Sequence, residues 1–528
     1  MKKRNIYIFL ILLLFFTVSI IYPILSLSQN LDSNAFEALM KSSQLKEAIT
    51  SSLKVTTLAT IISISISYLL AYTISRTNIK HKVLISVLLT LPMLIPSISH
   101  GLGIINLFGQ NGIITNILKL DFNILGFNGI LLGSILYSFP VSFLMFIDAF
   151  NYVDNSMYET AKVLGLSKFQ TFSKVTFYYM KRPLLSAIFA VFTLIITDYG
   201  VPLAVGGRYT TLPLFLYREV IGLLDFSKGT YISMFLLIPA LISFIIDIVV
   251  KDRDTNNFVK KEYVIENNKF HILLKGFTYF TLLFLAVLFG SFLYLSIISK
   301  YPYDTSFSLK HFDYVINKGA GEILINSLII SALTALIGTI VAYISAYIVS
   351  RSNIKIKKVL HILITITLAV PGIVLGLAYM IAFKNTFIYR TFSILIMVNI
   401  THFIASPYLM AYNALSKINK NYEDVGSTCG ISGFRILKDV IIPNSVDTIL
   451  EMISYFFINS MITISAVTFL FGTKTMPLSL LINQYEGQMM LEEAAIISLI
   501  ILIINFTVKL AIYLIKRKRY NNKRGVTC

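Results

Sequence analysis

Long apolar runs constrain this chain more than any other feature of its sequence. A transmembrane helix needs about 20 mostly apolar residues. Twelve segments meet that requirement: 6–27, 52–74, 83–107, 127–149, 184–205, 229–250, 272–298, 323–349, 359–383, 392–413, 446–470 and 492–515. Charged residues make up only 13% of the 528 residues, about half the fraction typical of a soluble protein. The sequence therefore predicts an all-α, polytopic membrane protein with about twelve transmembrane helices.

The first predicted span lies at the N-terminus. Met1–Arg4 is basic and precedes an apolar run that continues to about Leu27. That run exceeds the roughly 7–15-residue apolar core of a signal peptide, and no small-x-small cleavage site follows it. We therefore expect a retained membrane span rather than a cleaved signal.

Basic residues are grouped in short clusters on alternate sides of the predicted spans. The clusters at Arg76–Lys82, Lys162–Arg182, Lys251–Lys261, Arg351–Lys358 and Lys516–Arg519 account for much of the net charge of +19. Such alternation follows the positive-inside rule and indicates membrane topology, so no nucleic-acid partner is expected. The sequence predicts a multi-pass protein of the bacterial cell membrane, surrounded by lipid, with both termini in the cytoplasm.

The chain also repeats itself, with both copies in the same orientation. Ala71–Lys80 is identical to Ala346–Lys355 at seven of ten positions, and matched positions continue through the following spans. Matching pairs include Pro96 with Pro371, Gly101 with Gly376, Gly165 with Gly430, Ser167 with Ser432 and Phe169 with Phe434. A parallel repeat of two six-span halves is a known transporter architecture. The predicted domains are a first repeat at 1–250, a cytoplasmic linker at 251–271 and a second repeat at 272–528.

A polar interruption of the apolar pattern occurs once in each half, at 155–183 (elbow 1) and at 421–443 (elbow 2). In elbow 1, Ser156 with Glu159 and Ser167 with Gln170 each form the sequence pattern of a capping box. Gly165 between them is a natural left-handed helix end. The pattern predicts two short helices joined by a glycine, on the cytoplasmic side of the membrane.

The elbows carry a family motif, a cytoplasmic loop of the form E-A-A-x3-G-x9-I-x-L-P. Elbow 1 contributes Glu159-Thr160-Ala161, Gly165, Val175 and Phe177, with Tyr178 where the motif has proline. Elbow 2 contributes Asp424-Val425-Gly426, Gly430, Val440, Ile442 and Pro443. On these residues the chain resembles the fused permease subunits of binding-protein-dependent ABC importers, and the resemblance covers nearly its whole length.

That resemblance implies that each elbow couples the spans to a separate ABC ATPase, with two copies of the ATPase and a solute-binding protein on the outer face. The implied coupling residues are Glu159, Ala161, Gly165, Ser167 and Phe169 in elbow 1, and Asp424, Gly430, Ser432, Phe434 and Pro443 in elbow 2. No G-x-x-x-x-G-K-[ST] sequence occurs in the chain. ATP and Mg²⁺ are therefore expected on the partner, and no cofactor or enzymatic activity is expected in this chain.

Two further segments resemble the permeases for ferric iron, thiamine and 2-aminoethylphosphonate. The first is Thr197–Leu203, together with Gly206-Gly207 and Thr210–Pro213. The second is Asn459–Leu470. The second is most similar to the aminoethylphosphonate branch, which makes 2-aminoethylphosphonate the favoured solute and ferric iron the next.

Ionisable residues within predicted spans are candidates for the transport pathway, because charge at membrane depth is costly. They are His100, Asp198, His402, Asp447 and Glu451. Asp198 lines the outer mouth or caps a helix break before Gly200, and we favour the second role. Glu451 is expected to meet the pathway or an interhelical partner. Each histidine is more typical of a packing residue than of a ligand, and no metal site is predicted.

Two other classes of function compete with the importer. An ion-gradient-driven secondary transporter also commonly has two six-helix repeats, but would not need paired elbows. An intramembrane enzyme ranks lowest, because no paired carboxylates, metal cluster or nucleophile–base set occurs. Cys429 and Cys528 show no metal-ligand spacing, and no disulfide is expected between cytoplasmic cysteines.

Overall fold

A computed structural model describes residues 2–119, 123–151, 155–250, 269–352, 354–419 and 421–525. The helices of the first half are α1 (Lys2–Phe16), α2 (Tyr22–Ser26), α3 (Ser33–Lys41), α4 (Ser43–Arg76), α5 (Lys82–Leu89), α6 (Ser97–Phe108), α7 (Ile113–Leu118), α8 (Phe127–Asn151), α9 (Asn155–Val163), α10 (Lys168–Thr171), α11 (Tyr178–Ile196), α12 (Gly200–Val205), α13 (Leu212–Tyr217) and α14 (Phe226–Val250). Short 3₁₀ and π turns continue several of them.

The second half is also helical apart from one small hairpin. Its elements are α15 (Lys269–Ser296), β1 (Ile298–Lys300), β2 (Asp304–Phe307), α16 (Lys310–Val315), α17 (Gly321–Arg351), α18 (Lys357–Thr365), α19 (Gly372–Phe383), α20 (Phe392–Phe403), α21 (Ala405–Lys417), α22 (Asn421–Thr428), α23 (Gly433–Ile436), α24 (Ile442–Ile462), α25 (Leu478–Gly487) and α26 (Leu491–Gly525). The two strands pair antiparallel.

The predicted fold class, an all-α polytopic membrane protein, is confirmed. Within the described residues, nine helices are long and apolar enough to cross a membrane, or eleven if two bent pairs each count as one span. The bent pairs correspond to the predicted spans 359–383 and 392–413. The remaining predicted span, 83–107, is divided among α5, a 3₁₀ turn at Leu91–Leu94 and α6. The count of twelve thus includes segments that are broken rather than straight.

Proline causes the strongest of these breaks. The residue before a proline is disfavoured in the α conformation, and Ile95 before Pro96 is extended, with φ −120° and ψ 154°. In the second repeat, Val370 before Pro371 is extended as well, and the helices on either side are bent by 112°. In both repeats the matched proline therefore ends one helix and starts another.

The long helices within each half pack through small polar residues. In the first half, the hydroxyls of Ser63 and Ser138 lie 2.7 Å apart, and Ser142 donates to Ser67 at 2.7 Å. These contacts join α4 to α8. Small side chains let two helix backbones approach closely in a membrane. In the second half, α17 contacts α24 through the hydroxyls of Tyr343 and Ser445, which lie 2.6 Å apart.

The chain divides into two compact units whose boundaries differ from those of the sequence repeats. The first-repeat unit comprises Phe36–Asp313 and Tyr485–Leu499, and the second-repeat unit comprises Met1–Ala35, Tyr314–Gln484 and Ile500–Cys528. The boundaries at 1–250 and 272–528 stay a prediction made from the sequence repeat. The compact units instead assign the first span to the second repeat and α15 to the first.

Specific contacts explain these assignments. In the second-repeat unit, the Tyr379 hydroxyl donates to the Ser19 carbonyl at 2.7 Å, which holds the N-terminal span against α19. In the first-repeat unit, α15 approaches α6 so closely that a Cβ at Gly103 would lie 2.5 Å from Leu288 Cδ1. The predicted linker at 251–271 lies outside the described residues up to 268, and its last three residues already belong to α15.

We predict that the matched glycines Gly101 and Gly376 cannot accept a side chain. A Cβ at Gly101 would lie 2.6 Å from the Cβ of Ala204, and one at Gly376 would lie 2.8 Å from the Ala466 carbonyl oxygen. Gly101→Ala and Gly376→Ala should each lower the free energy of unfolding by about 1–3 kcal/mol through overpacking. Thermal unfolding of the purified protein in detergent measures the effect.

Gly290→Ala is the matched control, because no atom of the described residues lies within 4 Å of a Cβ at that position in α15. It should leave the midpoint unchanged or raise it, since alanine is favoured over glycine in a helix by about 1 kcal/mol. Equal midpoints for all three variants would contradict the close packing at Gly101 and Gly376.

Candidate functional site

Elbow 1 contains the two short helices that the sequence predicts, α9 and α10, joined at Gly165. Gly165 has a φ of +67°. Its amide donates to the Lys162 carbonyl at 3.1 Å, and the Leu166 amide donates to the Ala161 carbonyl at 3.0 Å. This pair of hydrogen bonds is the Schellman motif, which satisfies the last carbonyls of α9. The chain thus reverses sharply at a residue that needs no Cβ.

The helix after the turn begins with a complete capping box. The Gln170 amide donates to the Ser167 hydroxyl at 3.3 Å, and the Ser167 amide donates to the Gln170 side-chain oxygen at 2.9 Å. Both residues are thereby used as the pattern predicts. Ser156, the predicted start of the first capping box, lies inside α9 instead.

Elbow 2 repeats this geometry with α22 and α23. Gly430 has a φ of +69°, and the Ile431 amide donates to the Gly426 carbonyl at 2.8 Å. Ser432 caps α23 by accepting from the Arg435 amide at 3.3 Å. Pro443 lies in the first turn of α24, where a proline needs no amide partner. The two elbows therefore share a backbone design despite their different motif residues.

The alanine of the motif is a packing residue in elbow 1. Ala161 is buried in a small apolar cluster with Tyr158 and Val175. In elbow 2 the matching position is Gly426, and a Cβ built there would collide with the δ-methyl group of Ile436. A larger neighbour thus fills the space that the alanine methyl occupies in elbow 1, which explains the departure from the motif.

Each elbow exposes large apolar side chains on its outer surface. Phe169 is 79% exposed and Val163 is 87% exposed in elbow 1, while Phe434 is 58% exposed in elbow 2. The acidic motif residues Glu159 and Asp424 are also exposed. A groove of about 500 Å³ lies on elbow 2, lined by Asn419, Asn421, Tyr422, Val425, Gly426, Ile431, Arg435, Ile436, Asp439 and Val440. Apolar side chains held outward on capped helices form a surface suited to a protein partner.

Two residues of the elbows that sequence analysis missed are Tyr158 and Glu423. Each contacts an arginine at the end of the long second helix of its repeat, Arg76 for Tyr158 and Arg351 for Glu423. The arginines occupy matched positions in the repeat, which sequence analysis assigned only to membrane topology. The recurrence of an arginine at the same position of both repeats was the clue available in the sequence.

Asp198 lies at the helix break that follows α11. Its carboxylate accepts from the Gly200 amide at 3.3 Å and from the Val201 amide at 3.0 Å. These bonds cap the first turn of α12, the geometry of the favoured structural role. Glu451 forms an ion pair with Lys516 of α26, the interhelical contact that was one of its two expected roles.

The two candidate histidines lie in separate compact units. His100 is fully buried, and its Nδ1 lies 3.2 Å from the Pro96 carbonyl oxygen. His402 packs close to Gly372, where a Cβ would lie 2.9 Å from its Nε2. The buried Nε2 of His100 and Nδ1 of His402 have no hydrogen-bond partner within the described part of the chain. No group of three or more histidine, cysteine, aspartate or glutamate residues among those described could hold a metal ion.

Comparisons with known proteins agree with the duplication of the chain. Residues 63–255 and 335–520 each match the family described as binding-protein-dependent transport system inner membrane component. The chain is 27% identical over 491 residues to a Haemophilus influenzae protein assigned by name to a ferric transport system, FbpB 1, covering 88% of this chain and 77% of that protein.

Two further relatives carry related names. The ferric transport system permease FbpB of Actinobacillus pleuropneumoniae is 26% identical over 406 residues, covering 73% of this chain and 59% of the relative. The thiamine transport system permease ThiP of Haemophilus influenzae is 22% identical over 365 residues, covering 66% and 65%. Because the family matches cover most of both halves, this chain belongs to the inner membrane components of binding-protein-dependent transport systems, as a duplicated permease of an ABC importer whose ATPase is a separate subunit.

Proposed function

We propose that this permease imports ferric iron delivered by a solute-binding protein. Support comes from the two relatives named for ferric transport, one of which aligns with 88% of this chain. The alternative solute is 2-aminoethylphosphonate, which the resemblance of Asn459–Leu470 favours. In both cases the chain moves the solute without changing it chemically.

We further propose that elbows 1 and 2 are the docking points for two copies of an ABC ATPase, one on each elbow, which bind ATP and Mg²⁺. One observation carries this proposal. Each repeat holds a capped helix pair around a left-handed glycine, with Phe169 or Phe434 exposed beside it. An isolated helix of this length is marginal in water, so capping and docking together would stabilise it.

The proposed topology follows from the same assignment. ATPase docking requires both elbows, and with them both termini, to face the cytoplasm. The solute-binding protein then docks on the opposite face. Movement of the elbows on ATP binding and hydrolysis would switch the spans between outward-facing and inward-facing states.

The solute assignment predicts a selective uptake defect. Deletion of the gene should abolish accumulation of ⁵⁵Fe(III) under iron limitation and leave uptake of ¹⁴C-labelled 2-aminoethylphosphonate unchanged. Re-expression of the full chain should restore iron uptake. The reverse pattern would assign 2-aminoethylphosphonate as the solute and contradict ferric iron.

The energy source is tested in the same cells. Arsenate, which depletes ATP, should stop uptake, whereas an uncoupler added to cells with a maintained ATP pool should not. Inhibition by the uncoupler alone would favour an ion-gradient-driven secondary transporter and contradict docking of an ATPase.

We predict that Gly165→Val and Gly430→Val each impair ATP-driven uptake without displacing the protein from the membrane. No atom of the described residues lies within 4 Å of a Cβ at either glycine, so the cost arises from the backbone. An L-residue in the left-handed region costs about 1–2 kcal/mol, and a β-branched residue is especially unsuited to it. Uptake rates at matched membrane expression measure the effect.

The asparagine variants Gly165→Asn and Gly430→Asn are the controls, because asparagine tolerates the left-handed conformation. They should retain most of the uptake rate. Normal uptake by the valine variants would show that the left-handed elbow is dispensable for coupling.

A further inference from the structure

Two arginines at matched positions of the repeat reach from the membrane helices into the elbows. Arg76 is the last residue of α4 and Arg351 is the last residue of α17. Arg76 is only 3% exposed, and the side chain of Arg351 is 1% exposed. A guanidinium keeps its charge at every physiological pH, so its burial requires several partners.

Both arginines donate to the same carbonyl of the repeat. Arg76 Nη2 donates to the Phe150 carbonyl at 3.3 Å, and Arg351 Nη1 donates to the Leu415 carbonyl at 2.9 Å. The chain spacing that relates Gly165 to Gly430 also relates Phe150 to Leu415. Leu415 lies in the last turn of α21, where carbonyls lack partners within the helix itself, and its carbonyl also accepts from the Ile418 amide at 3.3 Å.

Both arginines also contact the same position in the first helix of each elbow, α9 or α22, which we call the coupling helix. The guanidinium of Arg76 lies 5.1 Å from the ring centre of Tyr158, in α9. Arg351 forms a hydrogen-bonded ion pair with Glu423, in α22. The same chain spacing relates Tyr158 to Glu423. An aromatic face and a carboxylate are alternative acceptors for a guanidinium.

Additional contacts hold each arginine or its partner in place. In the second repeat, Arg351 also donates to the carbonyls of Ile418 at 2.7 Å and Asn419 at 3.0 Å, so that all five of its N–H donors are used. In the first repeat, the Arg76 guanidinium also lies 5.5 Å from the ring centre of Phe150. The Tyr158 hydroxyl is held 2.9 Å from the Thr176 hydroxyl.

We infer that Arg76 and Arg351 are positioning residues that fasten each coupling helix to the end of its second transmembrane helix. Each guanidinium joins three elements: the helix that carries it, the membrane helix just before the elbow (α8 or α21), and the coupling helix. Displacement of an elbow by its partner is thereby transmitted to α4 or α17 instead of being absorbed by the connecting chain. The inference rests on the proposed docking of an ATPase to the elbows.

A probe of elbow motion can be placed beside each left-handed glycine. Cys429 is exposed in elbow 2, and Leu164 is the matching exposed residue in elbow 1. With Cys528→Ser as background, a nitroxide on Cys429 reports elbow 2. With Cys429→Ser and Leu164→Cys added, it reports elbow 1. The full-length permease in lipid nanodiscs, without any ATPase, suffices for this measurement.

We expect Glu423→Gln and Arg351→Lys to increase label mobility in elbow 2 and to leave elbow 1 unchanged. Tyr158→Leu should mobilise the label in elbow 1 alone. Tyr158→Phe keeps the aromatic ring and should resemble the parent protein. Glu37→Gln alters an exposed ion pair with Lys41 and is the matched charge control. Unchanged mobility in all of the first three variants, with normal thermal unfolding, would overturn the inference.

The second measurement is the amount of solute imported per ATP hydrolysed by the complex with its ATPase, using ⁵⁵Fe(III) with its binding protein in proteoliposomes. We expect this ratio to fall for Glu423→Gln and Tyr158→Leu, and to stay unchanged for Tyr158→Phe. A mobile label combined with an unchanged ratio would overturn the coupling role.

Absence of ATP-driven uptake by the parent protein would instead refute the proposed function, and the mobility result would still decide whether the arginines hold the elbows.

Discussion

Backbone hydrogen bonding in lipid is the constraint on which this structure depends. Within a bilayer, every amide and carbonyl must find a partner in the protein, and a continuous helix is the simplest solution. Helices α4 and α17, with 34 and 31 residues, meet that requirement along their whole length. Where the chain breaks its helices, the exposed backbone groups are satisfied in other ways. The carboxylate of Asp198 covers amides at one break, and Arg351 at the end of α17 covers carbonyls at another, where α21 ends.

The duplicated sequence repeats these solutions with different side chains. Gly101 and Gly376 both permit close packing against their helix, in one case by an alanine side chain and in the other by a backbone carbonyl. Ala161 and Gly426 fill the same place in the two elbows, and Ile436 supplies the volume that the second one lacks. Tyr158 and Glu423 meet matched arginines through a ring and a carboxylate. The geometry of the repeat is retained while its chemistry has diverged.

Much of the fold was predictable because its causes are local. Apolar length predicts the spans, and the capping pattern at Ser167 and the glycines at 165 and 430 predict the elbows. The breaks at Pro96 and Pro371 were predictable as kinks, but their size was not. A 112° bend depends on whether the surrounding helices cover the broken backbone, which no local pattern records. Ser156 fits a capping pattern yet lies inside α9, because a pattern of two residues does not determine where a helix begins.

The sequence by itself determined the class of the protein, its duplication and the positions of its two elbows, since hydrophobic length, repeated motifs and turn residues are all written along the chain. Only the tertiary structure decided which helices belong to each compact unit. The first span packs with the second repeat through Tyr379 and Ser19, and α15 packs with the first through Gly103 and Leu288. It also brought Arg76 to Tyr158, and it brought Arg351 to Glu423, which lies 72 residues further along the chain. Such pairings depend on the shapes of whole helices and on the satisfaction of buried charge, which are properties of the packed molecule.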